Sequence, residues 1–320
     1  LARHDEVTVS CAEGDTGRVY EGSARIDREE VPLEEVPSTR THVMLNLADP
    51  DAAMRWWRLP ADGIGLARME FVVSEHIRAH PMALAHPERL DGSDRAAIEE
   101  LAAGWASPAE YFVDRLAAGL ATLAAPWYPR PVVVRLSDFK TNEYASLVGG
   151  APFEPTEANP MLGWRGASRY YDEGYRDGFA LECQALRRVR EEIGLDNVVV
   201  MVPFCRTPSE ADRVLEVMAE EGLRRGDGGL RVLVMAEIPA NIILAEEFAE
   251  RFDGFSIGSN DLTQLTLGVD RDSAELAKRF GADDPAVLTS VRDLIRRAHG
   301  AGVPVGFCGQ APSDDPAYAQ

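Results

Sequence analysis

Phe255-Ser256-Ile257-Gly258-Ser259-Asn260-Asp261-Leu262-Thr263-Gln264 changes character part-way along. It starts as a short apolar run, led in by Gly254, and then opens into Gly, Ser, Asn and Asp. Arg231-Val232-Leu233-Val234-Met235-Ala236 behaves the same way and ends in Glu237. Two buried strands that each finish in a carboxylate can hold one hard cation between them, with substrate oxygens completing its shell. The pattern implies a fold whose strands end together, and a chemistry located at those ends.

The same alternation runs through the chain. Apolar runs at 43–47, 63–69, 132–136, 198–203, 232–238, 254–257 and 303–308 are separated by helical segments. Nearly continuous apolar runs are what parallel strands buried on both faces require. Two helices announce their starts. Ser107-Pro108-Ala109-Glu110 and Thr207-Pro208-Ser209-Glu210 each supply an N-cap hydroxyl, a first-turn proline and a glutamate at the third position. Val214, Leu215, Val217 and Met218 then line one helical face.

Strand–helix alternation over this length predicts an α/β fold, a (β/α)8 TIM-type barrel over residues 41–320, with a doubly wound sheet as the second reading. Seven strands are explicit. The eighth is either the segment 162–165 or lies past Gln320, in which case the barrel is truncated at its C-terminal end and carries an open edge. Ahead of the barrel, Val7, Val9 and Cys11 alternate with polar residues and lead through a turn to Arg18-Val19-Tyr20, a short β-hairpin. A lone hairpin is marginal, so residues 1–22 read as the tail of an upstream domain. Residues 23–40, with Pro32 and Pro37 among many charges, read as a linker. The chain starts without Met and stops at Asp315-Pro316-Ala317, the first turn of a helix, and so reads as a fragment at both ends.

Composition narrows the partners. With 33 Lys and Arg against 53 Asp and Glu, the net charge is −20, which disfavours nucleic acid and anionic membranes. An anionic substrate would need arginines gathered in one cleft against that field. The longest apolar run, 116–128, falls short of the ~20 residues of a bilayer span and is broken by Pro126. No signal peptide is visible. Cys11, Cys183, Cys205 and Cys308 form no Cys-x-x-Cys pair and read as reduced thiols of a cytoplasmic protein.

Barrel chemistry sits at the C-terminal ends of the strands, and here those ends are polar. The runs deliver Arg68; Arg135 with Ser137, Asp138 and Lys140 behind it; Arg165; Glu237; Ser259, Asn260 and Asp261; and Cys308. Each has a plainer reading. Arg165 could pair with Glu157 or Asp172 at the surface, and Cys308 could be a small buried hydrophobe. Gly306 and Gly309 flank the thiol, suggesting close backbone approach to a ligand. Gly63-Ile64-Gly65-Leu66-Ala67-Arg68 approaches a dinucleotide fingerprint, but Arg takes the third glycine position. No P-loop is present. His4, His42, His76, His80, His86 and His299 lack metal-ligand spacing and read as surface or helix residues. Arginine forks suit phosphate and carboxylate, a divalent ion on Glu237 and Asp261 would stabilise an enolate, and a tuned thiol could exchange a carbon-bound proton.

Several long motifs, in order over residues 41–320, resemble the phosphoenolpyruvate (PEP)-utilising enzymes. They are Gly63-Ile64-Gly65-Leu66-Ala67-Arg68-Met69-Glu70-Phe71, Asn159-Pro160-Met161-Leu162-Gly163-Trp164-Arg165-Gly166, Ser256 through Gln264, and Gly306-Phe307-Cys308-Gly309. Arg135 through Tyr144, Val202 through Thr207 and Arg165 through Tyr170 look most like the branch that uses pyruvate, ATP and water. The resemblance implies that Arg68 and Arg135 bind the substrate phosphate or carboxylate. It implies Mg2+ on Glu237 and Asp261, a substrate-binding loop at Gly258, Ser259 and Asn260, and Cys308 as proton donor and acceptor at the pyruvate methyl carbon. Arg165, Lys140 and Arg271 match further basic contacts.

It also implies a swivelling phosphohistidine domain as partner, pyruvate and PEP as ligands, and a homodimer. No histidine here has the family's phosphorylated His-Ala-Ala context, and the ATP-grasp part is missing. The ATP-dependent reaction would therefore need those parts from elsewhere. The runners-up are a dikinase that uses phosphate in place of water and, in another class, a non-catalytic PEP-sensing or dimerisation module.

Overall fold

Val198-Val199-Val200-Met201-Val202 is buried at every position, as a central strand covered on both faces must be. It sits in the middle of a sheet seen in a computed structural model that describes residues 6–10, 17–27, 32–33, 36–37, 39–270, 273–277 and 279–319. The chain divides into two compact units, Thr41–Gly309 and a smaller one made of Leu1–Arg40 with Gln310–Gln320.

In the smaller unit, β1 (Val7–Ser10) and β2 (Arg18–Glu21) pair antiparallel, Val7 opposite Glu21 and Ser10 opposite Arg18. Thr8 ties down the segment after β2: its hydroxyl donates to the Gly22 carbonyl and accepts from the Ala24 N–H, both at 2.8 Å. The expected hairpin is there, while its connecting turn lies outside the described residues. A short helix, Pro316–Ala319, starts where the sequence signalled one.

In the larger unit, β3 (Leu45–Leu47), β4 (Ile64–Arg68), β5 (Val132–Arg135), β6 (Val198–Val202), β7 (Val232–Ala236), β8 (Phe255–Ile257) and β9 (Val305–Phe307) form one parallel seven-stranded sheet in strict sequence order. A doubly wound sheet would reverse its strand order at a switch point; this one never does. The sheet curls. Asn46 in β3 donates through Nδ2 to the carbonyl of Cys308, just past β9, at 3.1 Å, so the two edge strands meet across the mouth.

Side chains alternate as a barrel wall demands. Leu66, Val133, Val199, Met201, Met235 and Cys308 pack together on the inside. Ile64, Ala67, Val132, Val134, Val198, Val200, Val232 and Val234 join the helix-covered core outside. The fold is thus an α/β barrel wall of seven staves.

The segment 162–165 is not an eighth strand. Its backbone is spent on turns, with Leu162 N–H on the Asn159 carbonyl, Gly163 N–H on the Pro160 carbonyl and Trp164 N–H on the Glu157 carboxylate. Both signalled helix starts are present. The Ser107 and Thr207 hydroxyls accept from the N–H groups of Glu110 and Glu210, each at 3.1 Å, and open the helices Pro108–Ala124 and Pro208–Glu220.

Candidate active site

Arg135 ends β5 with its guanidinium in the mouth of the barrel. One nitrogen donates to Glu70 Oε1 at 2.5 Å, and another lies 3.6 Å from Asp138. Glu70, two residues past β4, also accepts the backbone N–H of Asp138 at 2.8 Å. Asp138 grips Arg165 with both oxygens, at 3.0 and 2.6 Å. Arg165 stacks on the Phe204 ring at 4.1 Å and reaches to 3.5 Å from Asp261. Burial by itself would lower the pKa of Arg135, but Glu70, Asp138 and Glu237 more than reverse it; Asp138, Asp261 and Glu237 do the same for Arg165. Both guanidiniums stay charged, held by carboxylates rather than by solvent.

Glu237 follows β7 and is 1% exposed. Its Oε1 accepts the Phe204 N–H at 2.8 Å. Phe204 takes a left-handed φ of 46° to present that N–H, an uncommon conformation for a bulky residue. Asn241 completes the socket, accepting from the N–H groups of Glu237 and Ile238 and donating to the Cys205 carbonyl at 2.8 Å. A side chain at Gly258 would meet Glu237 Oε2 at 3.1 Å, so the loop after β8 is bare where the carboxylate lies against it.

Burial raises the Glu237 pKa well above the usual carboxylate range, and repulsion from Asp261 and Asp138 adds to it, against Arg135 and Arg165. Two buried oxygen-donor groups that repel one another fit a hard divalent ion. No group of three or more His, Cys, Asp or Glu among the described residues could hold a metal. Glu237 and Asp261 would leave most of an octahedral shell to substrate and water, as magnesium sites commonly do.

Cys308 follows β9 and faces the interior cluster. Its Sγ donates to the Ile257 carbonyl at 3.3 Å, and its N–H bonds the same carbonyl at 3.0 Å. Burial pushes the thiol up to about 11; a hydrogen bond from Ser256 opposes this, Glu237 adds to it, and Arg135 and Arg68 counter it. The glycine flanks have an internal reason on one side only. A Cβ at Gly309 would fall 1.9 Å from Ser259 Oγ, whereas one at Gly306 would meet nothing nearer than 3.8 Å.

Electrostatics therefore ties Arg135, Arg165, Glu237, Asp261, Cys308 and Arg68 into one mouth. Arg68 is exposed at the tip of β4, 5.3 Å over the Phe71 ring. Ser259 is buried and Asn260 exposed in the first turn of the helix Ser259–Leu267. Lys140 heads the helix Thr141–Ser146 with its ammonium 3.5 Å from Glu143. Arg271 lies outside the described residues.

Arg165 pairs with neither acidic residue first considered for it. Glu157 caps Trp164 and accepts from Thr141, and Asp172 accepts from Gly174. His80 is also not a surface residue. It is fully buried, accepting the Met82 N–H on Nδ1 and facing Glu154 from Nε2 at 3.0 Å. Glu70 and Asn241 were not singled out from the sequence, because Glu70 bonds Arg135 and Asp138 at the end of β5, and Asn241 joins its own turn to the Cys205 carbonyl after β6; an acidic residue two places after a cationic strand end was the available signal for Glu70.

Comparison with known proteins shows the family. A family model described as "PEP-utilising enzyme, PEP-binding domain" matches residues 23–320. The chain is 53% identical over 318 residues to a phosphoenolpyruvate synthase of Synechocystis sp., 50% over 320 residues to one of Neisseria meningitidis serogroup B, and 49% over 315 residues to one of Escherichia coli K12. Those matches cover 98–100% of this chain and 39–40% of the relatives, so the chain spans about two fifths of their length. A solved HpcH/HpaI aldolase/citrate lyase family protein from Burkholderia cenocepacia aligns at 15% identity with a TM-score of 0.44, over 87% of this chain and 82% of that one, too distant to bear on the reading. The chain belongs to the PEP-utilising enzyme family, of which it carries the PEP-binding domain.

Proposed function

We propose that the mouth of this barrel binds pyruvate and PEP and is where a phosphoryl group passes between a phosphohistidine and the enolate of pyruvate, as in a phosphoenolpyruvate synthase. Glu237 and Asp261 would hold Mg2+. Bound there, the ion would polarise the keto oxygen and offset the charge that develops on it. Arg135, kept charged by Glu70 and Asp138, gathers the anionic carboxylate or phosphate against a net charge of −20. Arg68 adds a cation on the open rim. Gly258, Ser259 and Asn260 form the substrate loop, at the N-terminus of a nine-residue helix where backbone N–H groups favour anions. Arg165 works from within by facing Asp261, and Lys140 and Arg271 are further basic contacts.

Cys308 handles the proton at carbon. With its pKa near 11 the thiol is protonated at neutral pH, ready to give its proton to the enolate carbon as pyruvate forms. In the PEP-forming direction the thiolate must take a methyl proton, and Arg68 and Arg135 are the cations that favour it. The phosphohistidine comes from a swivelling domain elsewhere in a longer protein. Residues 1–22 are read as its tail and 23–40 as the linker that lets it move. The complete reaction is then ATP, pyruvate and water to AMP, PEP and phosphate, in a cytoplasmic, gluconeogenic homodimer. The ATP-dependent half lies beyond this barrel, and the choice of water or phosphate as second acceptor is made there.

The carrying observation is the pair of repelling buried carboxylates, Glu237 and Asp261, set beside charged Arg135 and the protonated Cys308. Oxalate, a flat dicarboxylate mimic of the enolate, is expected to bind this chain by calorimetry in Mg2+ or Mn2+ and not in EDTA. Equal affinity in EDTA would sink the assignment of Glu237 and Asp261 to a metal.

A further inference from the structure

Ser137, between Arg135 and Asp138, has every polar atom engaged. Its N–H donates to Glu182 Oε2 at 3.3 Å and its hydroxyl to Glu182 Oε1. The Tyr144 hydroxyl lies 2.7 Å from the same Oγ, and the Ser137 carbonyl accepts from the Tyr170 hydroxyl at 2.8 Å. Tyr175 bonds Tyr144 at 2.7 Å and donates to Glu182 Oε1 at 2.8 Å. Glu182, Tyr144, Tyr170 and Tyr175 are fully buried. Glu182 sits in the helix Arg176–Arg187, which packs against the outer helix Pro108–Ala124. A carboxylate there is costly to bury, and an apolar residue of its size would avoid that cost.

The turn it holds explains the expense. The consecutive N–H groups of Ser137 and Asp138 are claimed by two carboxylates from different elements, Glu182 from the helix and Glu70 from the end of β4. Arg135 and Asp138 project from the two sides of this clamped residue, and Asp138 in turn fixes Arg165 in front of Asp261. We propose that Glu182 is a positioning residue for the anion site: by clamping Ser137 it fixes the turn that follows Arg135 and carries its partner Asp138, and so sets how tightly the mouth holds an anionic substrate. The inference rests on the reading of the mouth as a pyruvate and PEP site.

The three bonds to Glu182 all come from donors, which suits the ionised form. Burial pushes its carboxyl up to about 7, the bonds from Ser137 and Tyr175 pull it down, and Glu70 adds to the rise. The other groups around it are the hydroxyls of Tyr144 and Tyr170, the Cys183 thiol and, beyond Tyr144, Arg169.

The test is Mn2+-dependent oxalate binding by the 320-residue chain at pH 6 and pH 8. Wild type is expected to bind, more tightly at pH 8. Glu182→Gln, folded by circular dichroism, is expected to bind about tenfold more weakly at pH 8 and to lose part of the difference between the two pH values. A role in stability alone would lower the melting temperature and leave both readings unchanged, and that result overturns the proposal. Should Glu182→Gln not fold, Tyr170→Phe removes only the bond to the Ser137 carbonyl and is expected to weaken oxalate about threefold; wild-type affinity in that variant overturns the proposal too. A wild-type chain that fails to bind oxalate with Mn2+ overturns the reading of the mouth, and this inference with it.

Discussion

At Cys308, opposing forces act on one proton. Burial and Glu237 favour the neutral thiol; Ser256, Arg135 and Arg68 favour the thiolate, and the balance lies near pH 11. A raised thiol pKa means that the nucleophilic form is scarce below that pH, roughly one part in 10^4 at pH 7. Alkylation of Cys308 by iodoacetamide, followed by peptide mass spectrometry on the folded chain, is expected to stay slow at pH 8 and to climb towards pH 11. Arg68→Ala, which removes a cation that favours the thiolate, should move that climb to higher pH. Fast labelling at pH 8 would show that burial does not govern the thiol. The candidate reacting groups at this scale were legible because Glu237, Asp261 and Cys308 each break an apolar run. Glu70, Asn241 and Glu182 were not, since each makes a defining bond to a distant part of the chain: Asp138 N–H for Glu70, the Cys205 carbonyl for Asn241 and Ser137 for Glu182.

Among the elements, strands and helix starts follow from local chemistry: nearly continuous apolar runs for β3 to β9, and a hydroxyl, proline and glutamate for the helices at 108 and 208. The connection that delivers Arg165 combines local turns with contacts from further along the chain. Arg206 donates to the carbonyls of Gly163 and Arg165, and Arg169 pairs with Glu154 while lying 3.9 Å over the Trp164 ring. Gly166 is the hinge of this connection, with φ 59° and ψ −140°, a region open essentially to glycine alone. A Cβ there would also meet Phe204 Cβ at 2.5 Å and the Pro203 carbonyl at 2.8 Å. Gly166→Ala is therefore expected to cost roughly 2–4 kcal/mol in urea unfolding. Because Arg165 stacks on Phe204, it should weaken oxalate binding as well. Unchanged stability would mean that the two segments can separate at no cost.

Across the whole barrel wall, the strict strand order leaves β3 and β9 as edges, and the Asn46 side chain reaches over 262 residues to the carbonyl just past β9. Asn46→Ala is expected to speed amide exchange in β3 and β9 by about tenfold while β5 to β7 stay protected, as mass spectrometry of deuterium uptake would show. Uniform loss of protection would mean that the wall opens as one piece. Asn46 bonds the carbonyl of Cys308, the residue proposed to handle the proton. Contacts this distant in sequence form late, after much chain entropy has been given up. The backbone of Cys308 is held from both sides, by Ile257 of β8 and by Asn46 of β3. Closure of the first stave on the last thus reaches the candidate proton-handling residue directly, so that whatever loosens the seam is felt at Cys308.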